Sequence, residues 1–209
     1  MNEDGTIVFT TGTSDMGNGS VTTQCMLISE VLGIPLDHIA YIKTDTDAAM
    51  SDLGAYASRG TYTSGHAAVK TAQIMRDKIA VLAAELLDTT TDNLDFHDDA
   101  VWCVDIHRKF VSMKDIAVHA REKHQEDLSC SYMFHSEAGP MSSGAHFAKV
   151  QVDTVTGEIK VLEYAAVHDV GRVVNPMGIT GQLEGGISMG LGYALCEEMK
   201  LDSTGRNQT

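Results

Sequence analysis

Apolar positions change period several times along the chain, and each change predicts an element. Thr6 to Thr11 is β-branched and aromatic and reads as a strand. Val21, Cys25, Ile28 and Leu32 then fall at i, i+4, i+7 and i+11, one face of a helix. Ser20 is its candidate N-cap and Gly33-Ile34-Pro35 its stop. Ile39 to Thr44 reads as a second strand. Asp45 to Gly65 has no period, and an irregular stretch of that length inside a compact domain is usually functional. A long helix is predicted over Ser64 to Asp88, with Ala68, Ala72, Met75, Ile79, Leu82 and Leu86 as its buried stripe and Lys70, Asp77 and Glu85 on other faces. Thr89 to Asp99 reads as polar and turn-like, Val101 to Val104 as a short strand and Lys114 to Lys123 as a short helix. Glu122 to Ser131 has no pattern that decides its structure.

Period two returns at Ala148, Val150 and Val152, which alternate with Lys149, Gln151 and Asp153. Thr154 to Gly157 turns the chain and Ile159 to Glu163 alternates again, predicting a half-buried antiparallel hairpin. His168 to Pro176 reads as a loop. Thr180 to Glu198 reads as a helix in which Gly181, Gly185, Gly186, Gly190 and Gly192 interrupt Leu183, Ile187, Leu191 and Leu195. Each helical glycine costs about 1 kcal/mol relative to alanine. So many in one helix predict close approach by another helix or a ligand. The mixture of elements predicts an α+β fold, with approximate lobes over 1–140 and 141–209.

Charge narrows the partners. There are 29 acidic against 15 basic side chains, a formal net charge of -14. Such a surface repels nucleic acid and anionic membrane, so neither is expected as a partner. No apolar run approaches the roughly 20 residues of a membrane helix, and Met1-Asn2-Glu3-Asp4 has no leader pattern. Cys25, Cys103, Cys130 and Cys196 are far apart, which disfavours a zinc site or an iron–sulfur cluster held by this chain and fits reduced thiols in the cytoplasm. The nine histidines are dispersed, and no ligand pair is expected among them.

Three segments offer chemistry. Gly17, Asn18, Gly19 and Ser20 lie between a strand and a helix start, where backbone N–H groups and the helix dipole favour anionic or electron-rich groups. A tight turn without a ligand fits the same residues. The segment completes neither a dinucleotide fingerprint nor a P-loop. Ala57, Ser58, Arg59 and Gly60 combine small hydroxyls, a forked guanidinium and a glycine, the parts of a phosphate cradle. The alternative is a loop whose arginine pairs with Asp45, Asp47 or Asp52. Gln182 lies within Gly181-Gln182-Leu183-Glu184-Gly185-Gly186, and its carboxamide can read the edge of a heterocycle. A solvent-facing Gln and Glu at a helix start is the alternative there.

In order, TGTSDMGNG, LGAYASRGTYTSG, VDTVTGEIKVLEY and HDVGRVVNPMGITGQLEGGISMGLGYALCEE resemble the molybdopterin-binding region of xanthine dehydrogenase-like molybdenum hydroxylases, which include the aldehyde oxidoreductases. The resemblance runs from about Thr6 to Glu198. It implies the second molybdopterin-binding region of a large subunit, with two lobes, mixed sheets and packed helices. The implied cofactor is molybdopterin with molybdenum, in bacteria often the cytosine dinucleotide, the metal being held by the pterin dithiolene and by no protein side chain. Gly17, Asn18, Gly19 and Ser20 match the pterin loop, with Asn18 where the family usually has glutamine. Ala57, Ser58, Arg59 and Gly60 match the loop around the cofactor phosphates. Gln182 matches a glutamine that hydrogen-bonds near the molybdenum centre.

The resemblance also implies what lies elsewhere. The family's catalytic glutamate sits in a Gly-Glu-Pro/Ser motif beyond the GQLEGG block, and no such motif occurs before Thr209. Glu184 is a poor substitute, and Glu137, in Glu137-Ala138-Gly139-Pro140, has the wrong order and position. The first molybdopterin lobe, with its Gly-Gly-x-Phe-Gly element, is not found upstream. The expectation is a partial molybdopterin-binding domain, inactive alone, that works with another molybdopterin lobe or subunit, an iron–sulfur subunit and an FAD subunit. The implied reaction hydroxylates an N-heterocycle such as a purine or nicotinate with oxygen from water. An aldehyde is the alternative substrate, and a noncatalytic fragment or binding module of the same fold the alternative role.

Overall fold

The structure, a computed structural model, describes residues 1–42, 45, 47, 52–106, 108–136, 139 and 141–209. The fold is α+β, and it divides into two compact units, Met1–Gly139 and Pro140–Thr209.

The first unit opens with two strand–helix pairs. β1 (Ile7–Thr10) leads to α1 (Ser20–Leu32), and β2 (Ile39–Ile42) leads through a long connection to α2 (Gly60–Leu87). The strands are parallel, Ile7 opposite Ile39 and Thr10 opposite Ile42. Ile7 and Phe9 point into the core while Val8 and Thr10 face out, the period expected of a half-buried strand. The face expected for α1 packs inward, with Cys25, Ile28 and Leu32 buried and Val21 partly so. Its cap differs from expectation: Gly19, in the left-handed region at φ 69°, is the N-cap, and Ser20 is the first helical residue.

Packed beside α1, α2 buries Ala68, Ala72, Met75, Ile79, Leu82, Ala83 and Leu87. It begins at Gly60, four residues earlier than its apolar stripe suggests, because small residues leave the first turn without a periodic signal. Leu86, assigned to the stripe, is exposed, and Leu87 takes the buried position.

Residues 89–99 are not merely turn-like. They contain β3 (Leu94–His97), which starts an antiparallel meander with β4 (Ala100–Cys103) and β5 (Phe110–Ser112). The acidic residues around Phe96 hide the alternation that buries it. α3 (Met113–His124) follows, its Ser112 hydroxyl accepting the Asp115 N–H as a cap. It completes the core through Met113, Ile116 and Ala120.

The second unit holds β6 (Ser143–Val152), β7 (Ile159–Asp169) and α4 (Pro176–Leu195). The hairpin forms at the expected turn but is longer, and β7 takes in His168 and Asp169, which read as loop. Its half-buried face is not observed: β6 is exposed at every position. A two-stranded hairpin has no third layer of its own to cover the apolar side that its alternation creates. α4 likewise has no buried residue. Among the described residues, no helix is long and apolar enough to cross a membrane.

Candidate functional site

The parallel pairing of β1 and β2 decides where the first two candidate segments go. Each strand leaves the sheet at its carboxyl end, and each is followed by a helix that returns beside it. Contacts advance together along the two helices: the Cβ position of Gly65 meets Leu27, and Arg76 Nη1 donates to Val31 O at 2.6 Å. The helices therefore point the same way. Leu27 and Gly65 lie seven and five residues past the helix starts, so those starts differ by only about 3 Å along the axis at ~1.5 Å per residue. Residues 17–20 and 57–60 thus share the carboxyl edge of the sheet, with two positive helix ends side by side.

Two aspartates organise this edge, and neither was among the candidates. Asp15 Oδ1 accepts from Gly17 N at 3.0 Å and its Oδ2 from Val21 N at 3.2 Å, bracing the glycine loop on the first turn of α1. Burial pushes the Asp15 carboxyl up, but the donated Val21 and Gly17 N–H groups outweigh it and hold the group below the usual carboxylate range. Asp52 Oδ1 accepts from Gly54 N at 2.6 Å and its Oδ2 from Thr13 Oγ1 at 3.4 Å, tying the second loop to the first. Asp-x-Gly spacing is an Asx-turn signature that could have drawn attention to Asp15.

Within the edge, Asn18 Oδ1 accepts from Ser20 N at 3.3 Å, and the buried Ser20 side chain faces Asp15, whose carboxylate it helps to stabilise. Ala57 and Ser58 both hold positive φ, 51° and 53°. Two successive L-residues in this region cost about 1–2 kcal/mol each, and such strain collects at ligand clamps. Arg59 does not pair with an aspartate. Its Nη1 donates to Tyr56 Oη at 2.8 Å and its guanidinium lies 5.0 Å from the Tyr56 ring centroid. Among the described residues it has no carboxylate partner. Met16, Leu53 and Tyr56 are exposed on the same two loops. Backbone N–H groups, hydroxyls, one guanidinium and apolar flanks suit a large organic anion with a flat ring. This donor set does not suit a bare metal ion.

Gln182 belongs to the second unit, on the exposed surface of α4. Its neighbours on the helix surface at i−4, i+3 and i+4 are Gly178, Gly185 and Gly186, with Ile179 at i−3, so three of the four adjoining positions carry no side chain. A Cβ at Gly181, Gly185, Gly186 or Gly190 would meet nothing within 4 Å. Among the described residues, therefore, no close neighbour requires these glycines. Glu184 lies about 200° around the helix from Gln182, on another face. Glu137 falls outside the described residues, as does Thr44 of the expected second strand.

The histidines, dispersed in sequence and not expected to form a ligand pair, approach one another in space at two places. Glu85, His119 and His124 bring their ligand atoms within 4.8 Å of one another, and His146 Nε2 lies 2.7 Å from His168 Nε2. Packing α3 on α2 and pairing β6 with β7 joins residues that are distant in sequence.

The profile of the molybdopterin cofactor-binding domain family matches residues 1–209. The chain is 32% identical over 207 residues to the xanthine dehydrogenase molybdenum-binding subunit of Escherichia coli O157:H7, covering 97% of this chain and 28% of that protein. It is 30% identical over 205 residues to the carbon monoxide dehydrogenase large chain of Afipia carboxidovorans, covering 96% and 25%. In the crystal structure of quinoline 2-oxidoreductase from Pseudomonas putida 86, a region matches with a TM-score of 0.91 at 26% identity, covering 100% of this chain and 27% of that one. The chain thus spans about a quarter of the length of these relatives.

Proposed function

Because the chain belongs to the molybdopterin cofactor-binding domain family of the molybdenum hydroxylases, we propose that it cradles the pterin and phosphates of a molybdenum cofactor within a multi-subunit hydroxylase. The observation that carries this reading is the shared carboxyl edge of β1 and β2, where two helix starts meet beside the strained Ala57-Ser58 pair. Ligands of α/β units bind at such strand ends.

In this reading Gly17, Asn18, Gly19 and Ser20 present backbone and hydroxyl groups to the pterin. Asp15 holds that loop in shape. Ala57, Ser58 and Gly60 form the floor of the phosphate cradle, and the Arg59 guanidinium supplies a charge-assisted fork above it. Left-handed Ser58 followed by right-handed Arg59 gives the alternating backbone from which an anion-binding nest is built. The proposed form of the cofactor is the cytosine dinucleotide, whose two phosphates would call on the Arg59 fork. Gln182 offers donor and acceptor from a face on which glycines leave most adjoining positions bare, so a bulky partner can approach its carboxamide. When bound, the molybdenum–pterin group supplies the redox chemistry of hydroxylation with oxygen from water. This chain's share is binding, orientation and electrostatics.

We infer an N-heterocycle, a purine or nicotinate in class, as the substrate, with an aldehyde as the second reading. Xanthine dehydrogenase and quinoline oxidoreductase are named for N-heterocycles, whereas the carbon monoxide dehydrogenase relative is not. Iron–sulfur and FAD subunits are the proposed partners, in keeping with relatives named as a subunit and a large chain.

The test is co-expression of the chain with the products of its flanking genes, followed by molybdenum and pterin assay of the purified assembly. One molybdenum per chain, with CMP released on acid hydrolysis, is the expected result. Turnover of hypoxanthine or nicotinate in preference to benzaldehyde would identify the substrate class. A metal-free, pterin-free assembly would leave the noncatalytic binding module as the correct reading.

A further inference from the structure

We propose that Glu85, His119 and His124 form a second metal site, binding a divalent transition-metal ion of the Zn2+ class where the C-terminal part of α2 meets the end of α3. The site is independent of the cofactor cradle: Glu85 lies 25 residues beyond Gly60 on the same helix, about 37 Å away at ~1.5 Å per residue.

The donor set and its spacing carry the proposal. Glu85 Oε2 lies 3.3 Å from His119 Nε2 and 2.9 Å from His124 Nε2. Bonds of ~2.0–2.1 Å to a tetrahedral ion set its ligand atoms about 3.3 Å apart. The two separations from Glu85 are already within tenths of an ångström of that value, and the two imidazole nitrogens, which lie within 4.8 Å of each other, close on an ion by turning their rings. Two imidazoles and one carboxylate are a borderline ligand set that suits Zn2+ or Co2+ and disfavours Mg2+ and Ca2+, which take oxygen.

The surroundings permit it. His119 is mostly enclosed, at 15% side-chain exposure, so one ring is already held in place. His124 and Glu85 are part-exposed, at 32% and 38%, which gives a hydrated ion access from solvent. Lys123 Nζ stands 3.7 Å from Glu85 Oε2 and competes for it, but this long side chain is 63% exposed and can swing into solvent. A site joining two helices across a sequence separation of 34 acts as a structural clamp.

The experiment is a titration of the full 209-residue chain, carrying no polyhistidine tag, with Zn2+ by calorimetry and with Co2+ by visible absorption. Saturable binding of one ion, the ligand-field bands of four-coordinate Co2+ and a rise in melting temperature are expected. H119Q, H124Q and E85Q each weaken binding by about ten-fold or more, while H146Q leaves binding to this site unchanged. Circular dichroism confirms that each variant is folded before it is scored. Absence of saturable binding, or equal affinity in H119Q and the unmodified chain, overturns the proposal. Neither result bears on the cradle, which is read from molybdenum and pterin content.

Discussion

Gly33 and Gly60 both stand at helix ends, yet they are glycines for different reasons. Gly33 closes α1 at φ 66°, its N–H donating to Ser29 O at 2.9 Å, and an added Cβ would lie 2.3 Å from the Phe96 carbonyl oxygen. Both the conformation and the space forbid a side chain. G33A is expected to cost about 3 kcal/mol or more, which chemical denaturation would measure. Gly60 has no positive φ, and its Cβ position meets nothing within 4 Å. Folding does not require it. G60A should leave the melting temperature unchanged while lowering cofactor content of the purified assembly, and R59A should weaken cofactor retention by about ten-fold or more through loss of a charged hydrogen bond. If G60A retains full molybdenum and pterin, residues 57–60 are a turn and not a cradle.

Asp15 has a pH dependence whose sign follows from its position. Its folded-state carboxyl lies below the ordinary value. The stability it contributes is present above the unfolded pKa and disappears as pH falls through the lowered folded value. D15A should therefore destabilise the chain by about 1 kcal/mol near neutrality, as for loss of a helix cap. Melts of variant and parent should converge in strong acid. A constant difference at every pH would assign the effect to packing.

Among the elements, α4 departs most from what local preference favours. It holds Gly178, Gly181, Gly185, Gly186, Gly190 and Gly192 within 20 residues, a helix-propensity cost of about 1 kcal/mol per glycine. Among the described residues four of the six have nothing within 4 Å of an added Cβ, so packing within them does not account for the cost. G185A together with G190A should stabilise the 209-residue chain, seen as higher helicity and a higher melting temperature. The same pair should impair its assembly with partners or loading with cofactor. Better assembly in that variant would show that the glycines are incidental. The α2 interior behaves conventionally: Ile79 is fully buried, and I79A should cost about 2–5 kcal/mol.

At the scale of the whole molecule, the first unit has a continuous core and the second does not. β6, β7 and α4 leave Phe147, Val167, Met177, Met189 and Tyr193 exposed, the last four by 65% or more. Apolar surface of this kind marks a contact surface or an aggregation liability. The 209-residue chain alone should self-associate and bind a hydrophobic dye, and light scattering should show this relieved on co-expression with its partners. Limited proteolysis should cut near residue 139 and leave the first unit intact. A monodisperse, dye-silent monomer would count against the contact-surface reading.

What could be read before any coordinates was local. Period 3.6 at Cys25, Ile28 and Leu32 and period 2 around Val150 are set by which residues avoid water, so α1, α2, α3, α4 and the long hairpin were legible. β3 and β5 were not, because two or three apolar residues among aspartates have no decisive period until a helix covers them. The candidate segments were legible as motifs, since glycines, small hydroxyls and one arginine announce their chemistry in sequence. Their meeting at one edge was decided by the parallel register of β1 and β2, a long-range pairing that no local pattern encodes. The histidines show the same limit: His119 and His124 are five apart, about 140° around a helix, and only the packing of α2 brings Glu85 between them. Composition and periodicity specify each element's buried face, but which faces meet depends on contacts between distant residues, and those exist only once the chain has folded.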